Sequence, residues 1–144
     1  MKKLLYQYLW AYKDEGLLVL RILIGLSFMY HGYGKFAGGE ERLIFVGSAL
    51  KYFGITGGYL FLGAFAAIVE LLGGFLTILG LCTRPVAFLM VGVLFVATTM
   101  QLITTGFDAA NHAMEDMFVF ISLFITGPGK YSLDYKWAPE SYKK

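Results

Sequence analysis

From Tyr59 to Cys82 the chain runs for 24 residues with a single formal charge, Glu70, near the middle. A helix needs about 20 apolar residues to cross a bilayer, so this run is long enough. A carboxylate at such depth costs on the order of 2.5–3.5 kcal/mol by insertion scales, and something must neutralise, solvate or use it. Arg21 and Lys35 in the first apolar segment, and Glu115 with Asp116 in the last, are available as neighbours. These features predict a membrane protein with an internal polar cluster.

Composition supports this. The 144 residues are 58% hydrophobic and only 15% charged, where soluble domains carry nearer a quarter. Lipid accepts apolar surface that so small a soluble protein could not bury. A net charge of +2 is too small, and its charges too segregated along the chain, to argue for nucleic acid as a partner. Cys82 is the only cysteine, so neither an intrachain disulfide nor a Cys-x-x-Cys redox pair exists. The start Met1-Lys2-Lys3-Leu4-Leu5 resembles a signal peptide only in its charge. Lys13, Asp14 and Glu15 interrupt the apolar stretch after it, so the segment is expected to stay as a surface tail.

Four apolar segments are expected to span the membrane, roughly 17–36, 59–82, 85–105 and 109–126, the fourth being the shortest and most polar. Glycine pairs at 38–39 and 57–58, the Thr83-Arg84-Pro85 break and Gly127-Pro128-Gly129 punctuate them. The stretch 40–53 places Leu43, Val46, Leu50 and Phe53 at helical spacing but is too short to cross, which suits an interfacial helix. The predicted fold is all-α, an integral membrane four-helix bundle in one domain over 1–144, with that interfacial helix between spans one and two. Tails would occupy 1–16 and 127–144.

Four crossings put both tails on one side. That side holds Lys2, Lys3, Lys13, Arg84, Lys130, Lys136, Lys143 and Lys144; the other holds Lys35, Arg42 and Lys51. Positively charged loops stay in the cytoplasm, so a bacterial inner membrane with both termini cytoplasmic is expected. Tyr6, Tyr8, Trp10 and Tyr12 before the first span, and Tyr131, Tyr135 and Trp137 after the last, suit an interfacial belt.

Helical spacing aligns Arg21, Gly25, Phe28, Gly32 and Lys35 on one face of the first span, and Gly63, Ala66, Glu70, Gly73 and Thr77 on one face of the second. Small residues let membrane helices approach closely, so these two faces are expected to pack together. Depth then groups His31, Lys35, Glu70, Gln101, Glu115 and Asp116 toward the outer half. His31, Lys35 and Glu70 are the candidates for chemistry; Gln101, Glu115 and Asp116 are candidates for ligand binding. Arg21 is a further ligand-binding candidate set apart near the inner face, where it would also snorkel or hold Asp14, Glu15 or backbone carbonyls. His31 and His112 as haem ligands, or His112 with Glu115 and Asp116 as a metal site, lack any supporting motif, and no metal is assigned.

The first span's Arg21-x3-Gly25 leading to His31-Gly32-x2-Lys35-Phe36 resembles the opening of the DoxX family of small membrane proteins. Glu70-Leu71-Leu72-Gly73-Gly74, continuing to Gly80-Leu81 and Thr83-Arg84, is similar to that family's second block. The ending from Gly127 to Asp134 is similar to its usual finish. This resemblance implies a four-helix membrane fold and an oxidoreductase-associated role. The related DoxD subunit belongs with thiosulfate:quinone oxidoreductase, and other members accompany oxidative-stress or catechol-handling proteins. A quinone or small redox-active substrate near Glu70 is therefore expected, with no covalent cofactor. The alternative is a non-catalytic accessory subunit docked on other membrane protein subunits through Gly- and aromatic-rich faces. A third reading, a solute or proton pathway through Glu70, Glu115 and Asp116, needs an oligomer to provide room.

Overall fold

The computed structural model describes residues 12–142. The predicted surface residues before Tyr12, including Tyr6, Tyr8 and Trp10, and the closing Lys143 and Lys144 lie outside them. Four long helices make the body: α1 (Lys13–Ala37), α3 (Tyr59–Leu79), α4 (Thr83–Thr104) and α5 (Phe107–Thr126). Between α1 and α3 lie the short helix α2 (Gly39–Gly47) and a 3₁₀ segment, Ser48–Phe53; α6 (Leu133–Trp137) comes after α5. Among the described residues there is no strand, so the fold is all-α.

Among the described residues three helices, α1, α3 and α4, are long and apolar enough to cross a membrane. At 20 residues α5 matches them in length, but Asn111, His112, Glu115 and Asp116 crowd its first turns. Surface apolar residues such as Leu23, Phe61, Phe88 and Ile125 are exposed along the bundle, as lipid-facing positions should be.

Glycine decides how closely the helices meet. A Cβ at Gly25 would fall 2.6 Å from the Gly74 carbonyl oxygen, and one at Gly32 2.8 Å from that of Ala67. The small-residue face of α1 thus packs on Ala67, Leu71, Gly74 and Ile78. This differs from the expected partner face by one helical position. Gly63 serves α2 instead, against Leu43 and Gly47, and Gly73 serves α4, against Met90. Adjacent glycines at 73 and 74 allow α3 to offer a close approach on two sides at once.

The interior is apolar and continuous. Phe28, Val86, Ala87, Met90, Phe120 and Leu123 belong to one buried cluster, with Phe28 and Phe120 meeting edge to face at 5.1 Å between centroids. Thr77, the polar side chain of α3 in this layer, donates to its own helix at Gly73 O, 2.7 Å.

The end of the bundle where α3 turns into α4, here called the tail end, is stitched by residues 127–137. Gly80 closes α3 in the left-handed region (φ 63°), with Leu81 N donating to Leu76 O and Gly80 N to Thr77 O, a Schellman pattern. The Asp134 carboxylate accepts from Cys82 N and Thr83 N, each at 2.8 Å, while Asp134 N donates to Gly80 O at 3.0 Å. One residue therefore joins the end of α3 to the start of α4, where unpaired N–H groups and the helix dipole both favour an anion. Asp134→Ala is expected to lower stability by about 1–2 kcal/mol, as loss of a helix cap does, read as a fall in the thermal midpoint in detergent.

Candidate functional site

A cavity of about 780 Å³ opens in the other half of the bundle, between α1, α3, α4 and α5 and beneath α2. Its volume lies in the range of small-ligand sites. Glu70 is at its floor, on the face of α3 turned from lipid, with its side chain 4% exposed. Lys35, in the last turn of α1, reaches back to it, and Lys35 Nζ donates to Glu70 Oε2 as an ion pair. That contact answers the depth problem of the lone carboxylate. A buried ion is tolerated when a counter-ion and hydrogen bond accompany it.

His31, Gln101, His112 and Asp116 also line the cavity. His112 Nε2 stands 4.0 Å from Asp116 Oδ2, one helical turn apart on α5. The structure thus brings His31, Lys35, Glu70, Gln101 and Asp116 to one space. Glu115 is placed elsewhere: it is exposed, accepts from Asn111 Nδ2 at 2.8 Å, and has no part in the cavity wall. A rotation of about 100° per residue separates it from Asp116, although the two share a depth.

Arg21 lies at the tail end, fully buried. Its Nη2 donates to Tyr131 O at 2.5 Å, and Gly80 leaves room for Nη1, since a Cβ there would overlap it. Of the partners expected for Arg21, the structure supplies a backbone carbonyl. Asp14 and Glu15 are taken by the returning tail: Asp14 Oδ1 accepts from Lys130 N at 3.0 Å and Glu15 Oε1 from the Tyr131 hydroxyl at 3.0 Å. That bond to Glu15 pushes the Tyr131 phenol above its usual pKa. Arg21 therefore belongs to the stitching of the tail end, well apart from the cavity.

The remaining walls are apolar and aromatic, with Phe45, Phe65, Phe88 and Phe95 among them. Each of the four is also exposed on the outside of the bundle, so the cavity's flank faces lipid. Arg42 and His112 are further polar lining residues that depth and periodicity do not select. Among the described residues no group of three or more His, Cys, Asp and Glu side chains is arranged to hold a metal ion. The arrangement offers a hydrogen-bonding acid–base pair at the bottom of an aromatic space.

Comparison with known proteins bears on the same residues. The DoxX family model matches residues 16–115, which takes in nearly all of α1, the whole of α2 to α4, and both Lys35 and Glu70, and ends one residue before Asp116. The chain belongs to the DoxX family. A relative from Bacillus subtilis (strain 168), named "Putative oxidoreductase CatD", is 38% identical over 92 residues, covering 64% of this chain and 60% of its own length. The chain thus spans less than two thirds of that relative. A second, named "Inner membrane protein YqjF", from Escherichia coli (strain K12), is 30% identical over 130 residues, covering 85% of this chain and 92% of its own length. No solved structure matches. This DoxX chain is a bacterial membrane protein, with one relative named as a putative oxidoreductase and one as an inner membrane protein.

Proposed function

We propose that the chain binds a lipid-soluble, oxygen-bearing aromatic ligand of quinone type in the cavity, as the ligand-binding part of an oxidoreductase system. The observation that carries this reading is the Lys35–Glu70 pair at the floor of an aromatic-walled space. Lys35 can donate to a ring carbonyl; Glu70 can accept from a ring hydroxyl. An ammonium and a carboxylate held side by side offer both a donor and an acceptor to a ligand that gains or loses protons. Phe45, Phe65 and Phe95 supply ring faces. The residues present therefore fit such a ligand, which would itself supply the electron chemistry.

The lipid-facing flank gives a membrane-dissolved molecule a route inward. Four crossings, with both ends of the chain cytoplasmic, are part of the same proposal. The charge bias supports this orientation, and the name of the Escherichia coli relative supports the inner membrane. The accessory-subunit alternative rests partly on Gly25, Gly32, Gly63 and Gly73 as docking faces. All four are in close contact inside the chain, which favours the ligand-binding reading.

Glu70→Gln keeps size and hydrogen bonding while removing the charge. Protein purified in mild detergent from native membrane should retain a quinone-type lipid measurable by mass spectrometry, and the variant should retain at least tenfold less. Equal retention in a folded Glu70→Gln protein would remove Glu70 from the site.

A further inference from the structure

The two ends of the bundle are not equivalent. The cavity's exposed polar side chains all lie toward the end formed by residues 38–58 and 104–106, here the loop end. Exposure there rises in steps: the side chain of Glu70 is 4% exposed, those of Lys35 and Asp116 18%, and that of His112 75%. His31 and Arg42 are exposed beside them, so ionisable groups from α1, α2, α3 and α5 face this one opening. Polar, roomy sites of this kind hold water.

Toward the tail end the character changes. From Glu70 to the end of α3 is nine residues, roughly 14 Å of helix. Phe28, Val86, Met90, Phe120 and Leu123 fill that distance and are buried. Thr77, within it, already spends its hydroxyl on Gly73 O. A Cβ at Gly73 would come within 3.0 Å of Met90 Sδ, so α3 and α4 touch there without a gap. A second cavity, about 620 Å³, does exist at the tail end among Ile78, Leu79, Tyr131 and Lys136. It shares no lining residue with the first.

We propose that the site is a one-sided vestibule: water and protons reach Lys35 and Glu70 only from the loop end, through the mouth lined by His31, His112 and Asp116. Proton transfer over such a distance needs a chain of polar groups or waters, and the apolar layer between Glu70 and Arg21 interrupts any such chain. This consequence rests on the ligand reading: every proton that the bound molecule gives up or takes on is exchanged with the bath at the loop end. The same layer argues against a pathway through the whole bundle.

The test uses the full-length chain in sealed vesicles and needs no ligand. Gln101→Cys and, as a second variant, Ala66→Cys place a thiol in the cavity wall on α4 or α3, each combined with Cys82→Ser. Lys51→Cys, combined likewise, marks the loop end, and the native exposed Cys82 marks the tail end. A small, charged, membrane-impermeant thiosulfonate should modify both cavity cysteines from the face that modifies Lys51→Cys, at least tenfold faster than from the Cys82 face. With a permeant thiol reagent on both sides, the rate should rise several-fold per pH unit on the loop-end bath, because the thiolate is the nucleophile. It should ignore the other bath. Comparable modification from the Cys82 face, a response to pH on that side, or no modification from either face would each overturn the proposal. Glu70→Gln retention separately decides the ligand reading, so the two can fail apart.

Discussion

Lys35→Met is expected to destabilise the bundle by about 3 kcal/mol, the largest effect of any single side-chain removal around the cavity. Removing one partner of a buried ion pair costs about 3–5 kcal/mol, because the other charge stays behind without compensation. Here the lower figure applies: Lys35 keeps some exposure, and cavity water can partly solvate Glu70. Lys35→Met combined with Glu70→Leu should therefore recover more than half of the loss, since an apolar pair leaves nothing unpaired. Unfolding in mixed detergent micelles, followed by helical circular dichroism, measures both. A Lys35→Met protein as stable as the parent would show that the pair contributes nothing to the fold.

Gly63→Val should cost a similar amount, about 3 kcal/mol, at the upper end for overpacking. A Cβ at Gly63 would overlap the Leu43 carbonyl, and one at Gly47 the Tyr59 carbonyl. These are backbone atoms, which cannot rotate aside as a side-chain tip can. The substitution must push α2 off α3 and lift the cover of the cavity, so ligand retention should fall with stability. Gly34→Ala is the matched control: nothing lies within 4 Å of its added Cβ, and alanine is the better helix former by roughly 1 kcal/mol. Equal stability of Gly63→Val and the parent would mean that α2 is not seated where the structure puts it.

Much of this architecture can be read from residue order. Long apolar runs and glycine punctuation anticipate the long helices, whereas the single helix expected over 40–53 holds as α only to Gly47, beyond which Leu50 and Phe53 lie in the 3₁₀ segment Ser48–Phe53. The meeting of Lys35 with Glu70 is also legible, because both are costly at depth and antiparallel helices bring their levels together. Rotation about a helix axis is harder to see. The step from Gly73 to Gly74 leaves two faces of α3 equally small, and the first span takes the second of them. Likewise 115 and 116 have the same depth, but only 116 is turned to the cavity. The Asp134 cap leaves no periodic trace at all. It joins the first turn of α6 to the start of α4, 51 positions away, and only folding in three dimensions makes that pair.

The stitching of the tail end also bears on how the chain is made. Arg21 and the Tyr131 carbonyl that it binds are 110 positions apart. During synthesis from the amino end, the guanidinium is handed to the bilayer while its acceptor is still untranslated, and Asp134 arrives later still. Until then a cation waits near the interface with water or phosphate headgroups for company. Arrival of the segment that carries Tyr131 and Asp134 is thus the event that converts a set of inserted rods into a closed protein.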